Sequence, residues 1–391
     1  MTSLRPLAIE PGPAAAAALP HLRRALDGEC AVLPYAAGST PPRTPDGTTD
    51  PDDGTALVVG TSGSTGLPKL AMLPATALRA SADATHDRLG GLGTWLLAMP
   101  PHHIAGVQVM LRCVAAGTEP AFVDLSDGFT PRAFAEAANA LNGARRYTAL
   151  VPTQLVRILA DGQAREAAAA LDGILVGGAA TSAGVLARAR EAGLPVMTTY
   201  GMSETSGGCV YDGIPLRGSA VRADDDGRLH LGGATLATGY LGRPDLTRSA
   251  FWTDPDGAPW FRTDDTGHQD PDGRWQVDGR LDDLITSGGL KVAPRLVEEA
   301  LLDHIDGVAE AVVVGVDDPE WGQVVCAVVT LRPGAQAPTV SRARDALRGI
   351  LPAHALPRKL LVLDALPLRG PGKPDRRAIR ASLSTRDTMK P

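Results

Sequence analysis

From residue 56 to about residue 277, short apolar runs alternate with stretches of helical length. Runs at 95–99, 121–123, 148–151, 173–176 and 195–198 are spaced by stretches at 104–116, 131–142, 154–160 and 182–192. The alternation predicts βαβ units that build a largely parallel sheet with helices on its faces. Beyond Gly201 the rhythm changes. Gly, Asp and Pro become frequent, the strands shorten to 228–231 and 274–277, and Asp226-Gly227 and Asp272-Gly273 supply turns. That stretch reads as an antiparallel β subdomain. Near Gly279 the style shifts again, toward a small α+β unit. It comprises a helix over 294–304 opened by Pro294, strands over 309–316 and 324–331, a helix over 341–350, a strand over 359–363 and a Gly/Pro-rich tail loop.

The expected fold is α/β. A large N-terminal domain over 1–281 holds mostly parallel sheets with helices plus the antiparallel β subdomain, and a small mobile α+β domain covers 282–391, with the boundary at Asp282. A chain of 391 residues suits one large domain and a smaller one. Residues 39–53, rich in Pro, Asp and Thr, read as a flexible approach to the core, and the stretch before Leu57, opening with residues 1–26, as a leader. Its alanine run is broken by Glu10 and prolines, and no basic segment leads a long apolar core, so no signal peptide is expected.

A net charge of -6 gives no electrostatic reason to expect nucleic acid or an anionic membrane surface as partner. No run reaches the roughly 18 apolar residues of a membrane span, so a soluble, cytoplasmic protein without membrane insertion is expected. Cys30, Cys113, Cys209 and Cys326 are scattered and never form a C-x-x-C pair, which suggests neither a zinc site nor a disulfide framework. Lysine is rare: of 38 basic residues only Lys69, Lys291, Lys359, Lys373 and Lys390 are lysines. A lysine set among glycines then marks a place that needs a compact ammonium rather than a planar guanidinium.

Thr61-Ser-Gly-Ser-Thr-Gly-Leu-Pro-Lys69 is such a place, preceded by the apolar run 56–60. Gly63 and Gly66 permit positive φ and close backbone approach, so that consecutive N–H groups can face one anion, while Thr61, Ser62, Ser64 and Thr65 add hydroxyl donors. It differs from the kinase and GTPase phosphate loop, since Leu67 and Pro68 separate the last glycine from the lysine and no helix need follow directly. Four further strings accompany it. Thr199-Tyr-Gly-Met-Ser-Glu204 follows a strand of the parallel set, where open α/β sheets bind ligands. There Tyr200 can stack on a base, Ser203 can reach a phosphoryl oxygen and Glu204 can hold Mg²⁺ through oxygen.

In Phe261-Arg-Thr-Asp-Asp265 a carboxylate can accept both hydroxyls of a ribose, a role given to Asp265. Gly279-Arg-Leu-Asp-Asp-Leu-Ile-Thr-Ser-Gly-Gly289 spans the boundary, with Arg280 able to meet a nucleotide and Asp282 placed to act as a hinge. Gly370-Pro-Gly-Lys-Pro-Asp-Arg376 carries Lys373, which can neutralise charge growing on a carboxylate and an α-phosphate. Taken singly, these strings also read as a linker, turns or a basic tail. Adjacent His102 and His103 cannot supply the i, i+4 spacing of a helical zinc pair, and without G-x-S-x-G an acyl-enzyme is not expected.

In this order over residues 57–379 the five strings resemble the adenylate-forming superfamily of acyl-CoA synthetases, peptide-synthetase adenylation domains and luciferases. Ser203 stands where that family usually has threonine, Asp264 where it has glycine, and Thr286 where lysine is frequent, so the ribose contact lies open between Asp264 and Asp265. Pro101-His-His-Ile-Ala-Gly-Val-Gln108, Val151-Pro-Thr-Gln-Leu155 and Tyr200-Gly-Met-Ser-Glu-Thr-Ser-Gly-Gly-Cys-Val-Tyr-Asp-Gly213 look like o-succinylbenzoate-CoA ligases of the menaquinone pathway. The short actinobacterial kind is the nearer match, because only about sixty residues precede the phosphate loop and the N-terminal subdomain is expected to be shortened.

The resemblance implies a carboxylic acid, ATP with Mg²⁺, and coenzyme A as reactants, joined through an acyl-AMP. It implies that Thr61 to Gly66 and Lys69 hold phosphates, and that Gly178, Ala179, Tyr200, Gly201, Asp265 and Arg280 hold the rest of the nucleotide. Glu204 holds the metal, Ser203 and Lys373 assist the reacting oxygens, and Asp282 is the hinge that brings Gly288 and Gly289 over a pantetheine channel. His103, Thr153, Gly177, Gly207 and Gly208 line the acid pocket; Arg112, as anchor for a second carboxylate, reads instead as a helix-surface arginine. A homodimer stays open. The competing readings are an adenylase that loads a carrier protein in trans, and a binding module that kept the fold and lost catalysis.

Overall fold

The computed structural model describes residues 3–45, 50–61, 69–126, 128–369 and 373–387. The chain begins with β1 (Leu4–Ile9), α1 (Leu19–Leu26) and β2 (Ala31–Ala36), followed by β3 (Thr55–Gly60) and β4 (Leu70–Pro74). β1 to β3 run parallel and β4 returns antiparallel to β3. The expected leader is thus part of the fold. It was hidden by Pro6 and by the half-exposed side chains of β1, which lies at the sheet edge, where proline is tolerated.

Next come α2 (Ala75–Arg88), β5 (Thr94–Leu97), α3 (Ile104–Ala116), β6 (Ala121–Phe122), α4 (Pro131–Ala140), β7 (Arg146–Leu150), α5 (Pro152–Ala160), α6 (Gly162–Ala169), β8 (Gly173–Val176) and α7 (Ala183–Glu191). β9 (Val196–Met202), β10 (Gly207–Tyr211) and β11 (Ile214–Pro215) complete a seven-stranded sheet ordered β11-β10-β9-β8-β7-β5-β6. Its strands from β9 to β6 are parallel, as the alternation predicted. Side-chain caps explain several helix starts: Thr130 accepts from Ala133 N at 3.2 Å and Ser182 from Val185 N at 3.3 Å. Gly106 lets α3 press on the preceding loop, since a Cβ there would lie 2.1 Å from Pro100 O.

One core cluster, with Trp95, Met110 and Tyr147, joins α1 to α3 to the first two sheets, and another, with Phe134, Leu155 and Ile158, lies under α4 to α6. α3 is therefore buried on almost every side.

β12 (Ser219–Ala223), β13 (Arg228–Gly233), β14 (Gly239–Tyr240), α8 (Pro244–Ala250), β15 (Phe251–Thr253), β16 (Pro259–Gln269) and β17 (Trp275–Arg280) follow. Five of them form the expected antiparallel subdomain, whereas β14 crosses to pair with β4. The last segment holds β18 (Ile285–Ser287), β19 (Leu290–Val292), α9 (Pro294–His304), β20 (Val308–Asp318), β21 (Gly322–Leu331), α10 (Val340–Leu347), β22 (Lys359–Val362), β23 (Leu368–Arg369), β24 (Lys373–Pro374) and α11 (Arg376–Asp387). It has apolar clusters of its own around Val297, Leu301 and Val313, and around Val314, Val328 and Ile379. Among the described residues no helix is long and apolar enough to cross a membrane.

Candidate active site

The strands that flank the phosphate-loop string, β3 and β4, form an antiparallel hairpin: Gly60 pairs with Leu70, and Thr61 N donates to Lys69 O at 2.8 Å. Ser62, Gly63, Ser64, Thr65 and Gly66 lie outside the described residues. The hairpin agrees with the expectation that no helix need follow the loop directly. The Lys69 ammonium sits 5.3 Å from the ring centroid of Tyr240.

The C-terminal ends of β7, β8 and β9 bring the acid-pocket strings side by side. Gln154 accepts from Val151 N at 2.9 Å, which fixes the turn into α5 that carries Thr153. Gly177, Gly178 and Ala179 follow β8 directly, and a Cβ on Gly177 would lie 2.2 Å from Thr199 Oγ1. His103 occupies the N-cap position of α3, its ring 4.3 Å from that of His102. Tyr200 and Gly201 require a correction: they do not follow the strand but lie in it, because antiparallel pairing with β10 prolongs β9 to Met202. That pairing needs glycine, since a Cβ on Gly201 would lie 2.2 Å from Gly207 O and one on Gly208 only 2.9 Å from the Tyr211 ring.

Between the two strands, Ser203–Thr205 form a single tight turn, and Ser206 adopts φ 54°, a left-handed conformation uncommon for serine. Its carbonyl repays the strain by accepting from Ser81 Oγ at 3.0 Å and Gln108 Nε2 at 2.6 Å.

Two carboxylates at this hairpin each take a tyrosine hydroxyl. Glu204, 7% exposed, accepts from Tyr240 Oη at 2.8 Å. Asp265, 8% exposed, accepts from Tyr200 Oη at 2.7 Å. Burial raises the Asp265 pKa, while the Tyr200 hydrogen bond and Arg280 oppose the shift. Asp264 is exposed: it accepts from Arg228 Nη1 at 3.2 Å and lies 3.7 Å from Arg280. Of the two aspartates left open, only Asp265 is therefore buried against the site.

Arg112 also requires correction. It is 4% exposed rather than on the helix surface, packed 4.8 Å over the Trp95 ring and 3.4 Å from Tyr211 Oη. Its Nε has no partner, and no ion pair reaches it among the described residues. Burial lowers its pKa, yet a guanidinium stays charged. Burial, and then Arg112 itself, push nearby His86 down to about 4; its Nε2 accepts from Trp95 Nε1 at 3.1 Å.

At the boundary Arg280 grips Asp282 with two bonds of 2.8 and 3.0 Å and lies 3.6 Å from Asp265. Asp283 instead pairs with Arg376 at 3.4 Å, and Arg376 also pairs with Glu298 at 2.8 Å. Gly288 and Gly289 form the β18–β19 turn with φ of 60° and 78°, and Gly288 N donates to Trp321 O at 2.9 Å. The Lys373 backbone pairs with Arg369 in a short hairpin, and its side chain lies outside the described part of the chain. Sequence reasoning missed Tyr240, Gln108 and Ser206. The only signal for Tyr240 was an aromatic residue between glycines in Gly239-Tyr-Leu-Gly242.

The AMP-binding enzyme family matches residues 14–241, and the C-terminal domain of such enzymes matches residues 296–373. The chain belongs to the AMP-binding enzymes. A relative from Mycobacterium tuberculosis, named a probable 2-succinylbenzoate–CoA ligase, is 47% identical over 84% of this AMP-binding enzyme and 84% of its own length. A 2-succinylbenzoate–CoA ligase from a Geobacillus species is 33% identical over 81% of the chain and 66% of its own length. Among solved structures, o-succinylbenzoate CoA synthetase (MenE) from Bacillus subtilis, in complex with the acyl-adenylate intermediate OSB-AMP, superposes with a TM-score of 0.70 at 27% identity. That match covers 83% of this chain and 69% of the other. ATP-bound MatB from Rhodopseudomonas palustris, at 22% identity and a TM-score of 0.81, shares the fold over 98% of this chain and 89% of its own.

Proposed function

We propose that this AMP-binding enzyme is an AMP-forming acid–CoA ligase whose acid is 2-succinylbenzoate, acting in the cytoplasm as a step of menaquinone biosynthesis. The relatives' names support the reaction class. The observation that carries the acid is Arg112. A buried charge without a counter-ion costs several kcal/mol, and a substrate with two carboxylates can supply the missing charge with the one that does not react. Gln108, one helical turn before Arg112, links this cation to the pocket: its Cγ lies 3.4 Å from where a Gly207 Cβ would be.

In the first half-reaction a carboxylate oxygen attacks the α-phosphorus of ATP, and pyrophosphate leaves. The Thr61–Lys69 segment takes the β and γ phosphates, and Tyr200 with Asp265 takes the base and ribose. Gly177 to Ala179 line the floor between nucleotide and acid. Lys373 and Ser203 offset charge growing on the reacting oxygens. The residues present fit Mg²⁺: Glu204 offers the hard oxygen donors the ion prefers, and its Tyr240 hydrogen bond is the kind of outer partner that ligating carboxylates carry. When bound, the ion neutralises phosphate charge.

In the second half-reaction the coenzyme A thiolate attacks the acyl carbon and AMP leaves. We assign the division between residues 281 and 282, the hinge at Asp282 and the thiol channel at Gly288 and Gly289 to this step.

Mass spectrometry of products from the pure protein with ATP, Mg²⁺, coenzyme A and 2-succinylbenzoate, with benzoate and fatty acids as competitors, tests the reading. Succinylbenzoyl-CoA and AMP are expected. Acyl-AMP without thioester would turn the assignment toward carrier-protein loading, and no product from any acid would overturn it.

A further inference from the structure

Tyr240 touches both charged groups that the reading above places on the phosphate side of ATP. Its hydroxyl donates to Glu204 Oε1 at 2.8 Å, and the Lys69 ammonium lies 5.3 Å from its ring centroid. The backbone explains how one side chain reaches both. Tyr240 pairs with Ala71 in the short β14–β4 ladder, two residues beyond Lys69, and Leu241 N donates to Leu70 O at 2.8 Å. On the other side Ala237 N donates to Glu204 O at 2.8 Å, which fastens the Glu204 turn to the same segment.

The ring has little freedom. It is 3% exposed, with Phe251 set against it nearly edge-on at 5.5 Å, and the Tyr240 N–H is held by Thr247 Oγ1 at 2.9 Å.

We propose that Tyr240 is a positioning residue of the ATP site: its hydroxyl aims the Glu204 carboxylate at the metal of a metal–nucleotide complex while its ring seats Lys69. The inference rests on the proposed metal-binding role of Glu204. A hydrogen bond of this kind selects one carboxylate orientation before the ligand arrives, and outer partners of metal ligands typically matter by a factor of about ten to a hundred in metal affinity. A cation over an aromatic face is a weaker, directional seat from which an ammonium can turn to a phosphate.

The test is calorimetric binding of ATP to the whole protein without acid or coenzyme A, once with Mg²⁺ and once with EDTA. The variants are Tyr240→Phe, which keeps the ring and drops only the hydroxyl, and Glu204→Gln. Wild type should bind MgATP more tightly than metal-free ATP. Tyr240→Phe should lose about tenfold of that metal-dependent gain while binding metal-free ATP within about twofold of wild type. Glu204→Gln should lose the gain as well. If Tyr240→Phe keeps the gain that Glu204→Gln loses, Tyr240 does not position the carboxylate. Equal weakening of Tyr240→Phe with and without Mg²⁺ would make the tyrosine a merely structural residue and also overturn the proposal. Retention of the gain by Glu204→Gln would instead overturn the metal-binding role, and the inference with it.

Discussion

Two regions around the β9–β10 hairpin, a nucleotide end and a proposed acid end, treat buried charge in opposite ways. At the nucleotide end Glu204 and Asp265 each receive a tyrosine hydroxyl, at 2.8 and 2.7 Å. At the end that we propose meets the acid, Arg112 has a 3.4 Å approach to Tyr211 and the face of Trp95, with no ion pair among the described residues. A carboxylate held by a hydrogen bond is oriented before any ligand binds, which suits groups that must meet a fixed polyphosphate. A cation without a counter-charge leaves the protein under strain that a matching anion relieves, which suits selection of a dicarboxylate over a monocarboxylate. We propose that one end serves positioning and the other discrimination.

The largest effect expected comes from the charge that neither end holds. Lys373→Ala should slow adenylate formation by about two to three orders of magnitude while leaving thioester formation from supplied acyl-AMP nearly intact. Single-turnover assays of the two half-reactions measure this, and equal loss of both would remove the assigned role. Next in size, Arg112→Met should raise KM for 2-succinylbenzoate about a hundredfold, as expected when one partner of a buried charge pair is lost, and leave KM for ATP unchanged. The same substitution should stabilise the ligand-free protein by about 1 kcal/mol or more, because it removes an uncompensated buried charge. Urea unfolding of the two proteins checks the sign. A variant that is both less stable and unimpaired with the acid would erase the contrast between the two ends.

The strings to which we assign phosphate, metal and ribose chemistry stand out in the sequence because glycines and charged residues mark them whatever the surroundings. Arg112 was not. The segment 104–116 was recognised as a helix, yet a lone arginine in it was assigned to solvent by habit, although a helix otherwise apolar on every side must bury its one charge. α2 escaped notice for a related reason: Ser81, Thr85 and His86 face the interior and erase its apolar periodicity. Tyr240 was invisible because a two-residue strand has no pattern of its own, and its importance depends on pairing with β4, far away in sequence. The alternation of strands and helices was readable because it depends on local burial, whereas the crossing of β14 depends on how two sheets meet.

A smaller effect sharpens the nucleotide end. Tyr200→Phe should raise KM for ATP by about tenfold, the loss of one hydrogen bond to a charged group, with KM for the acid unchanged. Asp265 would then keep Arg280, at 3.6 Å, as the partner that the structure assigns it. A change in the acid constant instead would mean that the two ends are not separable.

The smallest effect reaches the acid end through His86. Its pKa falls from 6.5 in the unfolded chain to about 4 in the fold, by burial first and then by Arg112. The unfolded state therefore binds more protons between these values, and stability rises with pH across that window. As pH falls from about 6.5 toward 4, wild type should lose stability more steeply than His86→Gln, and above pH 7 the two should run parallel. Arg112→Met should lose less stability in total over the same descent, because it removes the second cause of the shift and leaves burial in place. Unfolding midpoints measured across pH for the three proteins decide it. If Arg112→Met loses as much stability as wild type between about pH 7 and pH 4, the cation does not act on His86, and the acid end is less strongly polarised than the comparison requires.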